Sequence, residues 1–192
     1  MNRTKVERGD TIIEVLLAVS IFSMVAVSSM AIMNMGLSTA QRSLEITQVR
    51  HQIDGQAELL RYVHSQTKLD NPDQEYVELW NDINKDGEVE SIIGTDRCPE
   101  NFPAKGFALV PVTEGDQLKI KLAGQASGEF GYSQPETFAR VDSSGSQGIF
   151  IQLAEVENGR AYDAYIQSCW DSLGVDRPMT IGTIVRIYDT AN

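Results

Sequence analysis

Residues 9–35 read GDTIIEVLLAVSIFSMVAVSSMAIMNM, and from residue 15 to residue 41 the chain has no Asp, Glu, Lys or Arg. Roughly 20 apolar residues at a 1.5 Å rise match a hydrocarbon core about 30 Å thick, so residues 15–35 have the length and composition of a membrane-spanning helix. The competing reading, a buried core helix, calls for a shorter and more amphipathic segment. Ser20, Ser23, Ser28, Ser29 and Asn34 interrupt the apolar run. They are tolerable, because serine bonds back to its own helix and small side chains let neighbouring helices approach.

Ahead of this run stands MNRTKVERG, in which Arg3, Lys5 and Arg8 outweigh Glu7. The excess of positive charge holds the N-terminus in the cytoplasm and puts the bulk of the chain outside. An ordinary secretory signal carries a small-residue cleavage site after its apolar region. Here the apolar region runs into MNMGLSTAQRS without losing helical character; Ser38 and Ala40 leave such a site open as the alternative, and retention of the helix is the expectation.

A basic leader ending in Gly9, four residues, Glu14 and then an uncharged apolar helix together resemble the prepilin signal of type IV pilins and of the pseudopilins of type II secretion. The resemblance covers about the first 35 residues. It implies cleavage by a prepilin peptidase between Gly9 and Asp10, methylation of the new amine on Asp10, and a mature chain whose fifth residue is Glu14. Asp10 departs from the apolar residue common at the first mature position. A carboxylate in a membrane-spanning helix costs on the order of 2.5–3.5 kcal/mol and needs a partner. The resemblance supplies one for Glu14: the free amine of a neighbouring subunit during filament assembly. A Glu snorkelling to the cytoplasmic interface is the plainer alternative.

Beyond the apolar run, Leu44, Val49, Ile53, Leu59, Leu60 and Val63 recur at helical spacing among polar residues, with no proline before Pro72. The helix is therefore expected to continue to about Thr67, some 80 Å at 1.5 Å per residue, with Gly36 and Gly55 as weak points. After Pro72 come short β-like runs: GFALVPV, QLKIKLA, GIFIQLAEV, AYDAYIQSCW and TIGTIVRIYD. Alternation is clearest in residues 117–122 and 149–153, which predicts one apolar and one solvated sheet face. Residues 126–148 read as a long exposed loop. The fold class expected is α+β and pilin-like, a long N-terminal helix packed on an antiparallel sheet. Its segments are a leader over 1–9, a helix over 10–68 that spans the membrane at about 15–35, and a β-rich head over 69–192.

Cys98 and Cys169 are the only two cysteines. The orientation places both outside the cytoplasm, where disulfides persist, so they are expected to pair; two free thiols are the alternative. Asp82, Asn84, Asp86, Gly87, Glu88 and Glu90 reproduce the opening of an EF-hand-like calcium loop, with oxygen ligands at alternate positions and a glycine for the turn. The match is incomplete, since Ile93 stands where a bidentate Glu belongs and a site would borrow Glu90 or Asp96. A solvated turn between strands is the competing reading.

The chain has 192 residues, room for one such head, and its net charge of −11 argues against general nucleic-acid binding, which needs a concentrated basic surface. There is no HExxH, no GxSxG and no phosphate-binding loop, so no enzyme is expected. His51 and His64 are about 13 steps of 100° apart, on roughly opposite helix faces, and read as surface histidines. The resemblance implies a structural subunit of a type IV pilus-like filament serving adhesion, twitching motility or DNA uptake. Its partners would be other pilin subunits, the prepilin peptidase, the membrane and a surface ligand. The chain would sit once across the cytoplasmic or inner membrane before assembly and on the cell surface after it. The alternatives are a secretion pseudopilin and a membrane-tethered extracellular binding module.

Overall fold

The computed structural model describes residues 12–85, 97–124, 130–156, 160–172 and 174–189. The chain divides into two compact units, Met1–Gln41 and Arg42–Asn192. Helix α1, Ile12–Gln66, begins in the first and ends in the second. It runs unbroken through Gly36 and Gly55. One glycine costs up to about 1 kcal/mol, which does not offset the cooperativity of a long helix around it.

In the second unit, α1 buries one stripe of Glu45, Val49, Ile53, Gln56, Ala57, Leu60, Val63 and His64. Steps of three and four residues keep these on one face. Leu44, counted in the apolar set from the sequence, falls off this stripe and is exposed. A second helix, α2 at Gln74–Asn84, was not expected. Asp73 caps it by accepting a hydrogen bond from the Glu75 amide at 3.1 Å, and Tyr76, Leu79, Trp80 and Ile83 turn inward at helical spacing.

All five runs expected as strands form strands: β1 Phe107–Glu114, β2 Gln117–Gly124, β6 Ile149–Val156, β7 Ala161–Trp170 and β8 Met179–Tyr188. They build one antiparallel sheet in the order β2-β1-β6-β7-β8. Residues 131–147, expected as open loop, instead hold three short strands: β3 Gly131–Ser133, β4 Arg140–Asp142 and β5 Gly145–Gln147. Their sheet has the order β3-β5-β4, with β3 parallel to β5.

The large sheet lies between two cores. On one face Phe107, Leu109, Ile149, Ile151, Ile166, Val185 and Ile187 meet the stripe of α1 and Leu79 and Trp80 of α2. On the other, Ala108, Val110, Ala123 and Phe150 meet Phe102, with Phe130, Tyr132 and Val141 packed against them. This corrects the reading of residues 149–153, for all five are buried and no face of that stretch is solvated. Each fully buried Ile or Phe contributes about 1.5–3 kcal/mol, so covering the second face is a large term.

Candidate functional site

Between residues 12 and 37 the large apolar side chains of α1 are 56–81% exposed. The serines do not break this surface. Ser20, Ser23, Ser28 and Ser29 donate to the carbonyls of Leu16, Val19, Met24 and Val25, one turn back, at 2.7–2.8 Å. Their hydroxyls are thus satisfied within the helix and make no demand on water. What remains is one helix long and apolar enough to cross a membrane, with Glu14 as the acidic residue of its first turn. Gly9 and Asp10 lie outside the described residues. By length and composition this segment fits a membrane-crossing helix, and a signal sequence near an N-terminus has the same character.

Further along, α1 is held by polar side chains buried among its apolar ones. The Gln56 amide donates to the Leu109 carbonyl and accepts from the Leu109 amide, both at 2.8 Å, so it bonds the middle of β1 as a neighbouring strand would. Gln52 accepts from the Val141 amide of β4 at 3.2 Å. The Glu45 carboxylate accepts from Trp170 Nε1 at 3.2 Å and from Ser172 Oγ at 2.6 Å. Three elements of the sheet layers are thereby fixed to one helix in one register. Glu45 and Gln56 were not singled out from the sequence. The signal was present, since both occupy core positions of the helical stripe where an apolar residue is the norm.

Cys98 and Cys169 form the expected disulfide, with Cα atoms 5.3 Å apart across a separation of 71 residues. Cys169 is buried and sits one residue before Trp170, so the bridge ties the segment leading into β1 to the end of β7 that holds Glu45.

Asp82 and Asn84 belong to the last turn of α2, at the point where the expected calcium loop would begin. Asp86, Glu88, Glu90, Ile93 and Asp96 lie outside the described residues. Among the described residues no three His, Cys, Asp or Glu side chains are grouped to hold a metal. Glu155 of β6 does line a small cleft together with Asn84, a neighbour that spacing could not reveal.

The two histidines differ. His51 is exposed as expected, but His64 is buried against Trp80, with ring centroids 4.8 Å apart. The reading of His64 as a surface residue is overturned because it lies on the same stripe as Leu60 and Ala57. No family model, curated protein or solved structure matches this chain.

Proposed function

We propose that the chain is a type IV pilin-like subunit, processed after Gly9, held in the membrane by α1 and assembled through that helix into a filament that displays the C-terminal unit. The observation that carries this reading is the first half of α1: a continuous helix, apolar and exposed over its whole circumference, with a single early carboxylate at Glu14. Gly9 and the basic leader in front of it supply the processing signal. The disulfide, buried in a unit that would lie outside the cytoplasm, agrees with that orientation. Adhesion, twitching motility and DNA uptake are the roles such a filament serves, and a secretion pseudopilin would be built the same way. Calcium at Asp82, Asn84, Asp86, Glu88 and Glu90 would be an accessory to the head, completed by acids such as Glu155.

Mass spectrometry of the N-terminus in sheared surface filaments tests this, comparing wild type with Glu14→Ala. The expected result is a mature chain beginning at Asp10, abundant in wild-type filaments and depleted in the variant. An uncut chain confined to membranes and indifferent to the substitution would overturn the reading and leave a membrane-tethered binding module.

A further inference from the structure

His64 stands where four elements meet. It is in the last turn of α1; α2 brings Trp80 against its ring; β7 brings Tyr162 against Trp80 at a centroid distance of 5.6 Å; and Asp189, just past β8, lies 3.9 Å from Nε2. Nε2 is buried and has no hydrogen-bond partner among the described residues. The Asp189 carboxylate is taken by Lys68, one turn further along from His64, while the Asp189 amide donates to the Arg160 carbonyl at 2.8 Å. The charged groups that face the ring are Asp189 from the end of β8 and Lys68 just past α1, while α2 brings Trp80 and β7 brings the titratable phenol of Tyr162 against Trp80.

We propose that His64 is an acid-sensitive latch: its neutral ring lets the end of α1, α2 and the end of β8 close on one another, and its protonation loosens them. A proton on Nε2 would place a full charge in a site walled by Trp80 and lined up with Lys68, and Asp189 is already engaged by that lysine. Burial holds the ring below the ordinary histidine value of 6.5; Asp189 opposes this and Lys68 adds to it. The sign follows. A histidine with a depressed value in the fold contributes stability that is fully present above about pH 6.5 and is lost as pH falls through the folded value. Other groups with shifted values titrate elsewhere. Glu114, Asp142 and Asp163 are held below the usual carboxylate range, and Tyr76 and Tyr162 are pushed up.

Trp80 makes the latch visible, because an imidazolium in contact with an indole quenches its fluorescence and a neutral imidazole does so far less. The full-length chain in detergent micelles is titrated from about pH 8 to about pH 4.5, spanning the histidine range, with tryptophan emission, to which Trp80 and Trp170 both contribute, and amide exchange of α2 and Asp189 followed together. In wild type, emission is expected to fall with a midpoint below 6.5, and protection of those amides is lost over the same interval. His64→Gln should remove both changes. Asp189→Asn should move the midpoint further down, and Lys68→Met should move it up. A midpoint at or above 6.5, or protection that holds or grows while His64 titrates, would overturn the proposal. Should His64→Gln fail to fold, the ring-proton NMR shifts of wild-type His64 read the same midpoint and decide it.

Discussion

Glu45 keeps a carboxylate at a position where the periodicity of α1 asks for hydrocarbon, and its worth is set by the two donors it satisfies. Without it, Trp170 Nε1 and Ser172 Oγ are left buried with nothing to bond. Unsatisfied buried groups cost about 1–3 kcal/mol each, so Glu45→Ala is expected to lower stability by roughly 2–4 kcal/mol, read from the midpoint of urea unfolding. Asp163 acts differently, because it is paired at the sheet surface: Arg186 donates to it through Nε and NH2, both at 2.7 Å. Those hydrogen bonds first, and the guanidinium charge after them, hold its carboxyl below the usual 3.8. The charged form is favoured in the fold, so this contribution is present above about 3.8 and disappears as pH falls through the lower folded value. Melting temperatures of wild type and Asp163→Asn should therefore diverge at neutral pH and converge in strong acid. Single residues of this kind were the hardest to read in advance. Glu45, Gln56 and His64 occupy core positions of a visible stripe, but polarity argued for the surface, and only partners from other elements, Trp170, Leu109 and Trp80, seen once the chain is folded, reverse that.

At the level of elements, strands with continuous apolar runs were legible and short or polar elements were not. The five long strands have enough β-branched and aromatic residues to declare themselves. α2 was legible in principle from Pro72, the cap at Asp73 and the spacing of Tyr76, Leu79, Trp80 and Ile83, yet its acidic residues drew the reading toward a cation loop. The small sheet could not be seen, because strands of three residues among Gly, Ser and Pro carry no period. What fixes its junction with β6 is Gly148, at φ +75°, whose carbonyl accepts the Cys169 amide at 2.8 Å. A Cβ there would come within 2.2 Å of the Cys169 carbonyl oxygen. Gly148→Ala is accordingly expected to destabilise the fold by more than about 1 kcal/mol, measurable by thermal melting, whereas Gly36→Ala, which meets nothing within 4 Å, should not.

Across the whole molecule, the division into an uncovered apolar helix and an α+β unit was the most legible feature, since it rests on composition over tens of residues rather than on any one contact. The disulfide was legible for a similar reason, as orientation and a count of two cysteines left few choices. Its bridge closes a loop that includes β1 through β6, and hence the whole of the smaller core and nearly half of the larger one. Replacing both cysteines by serine is expected to cost about 2–5 kcal/mol, measured by denaturant unfolding of the oxidised and substituted chains under the same conditions. A much smaller loss would mean that the unbridged chain already keeps this region compact when unfolded.

The way α1 is held has a consequence for how the protein is made. The helix is synthesised first, yet Gln56 waits 53 residues for Leu109, and Glu45 waits 125 for Trp170. Val185 and Ile187, which complete the same core, come close to the C-terminus. At about 5–20 residues per second, the inner stripe of α1 stands without its cover for roughly 6–25 s of every chain's synthesis. A newborn chain thus carries two apolar surfaces at once, the inner stripe that its own later strands will close and the exposed apolar run that precedes it.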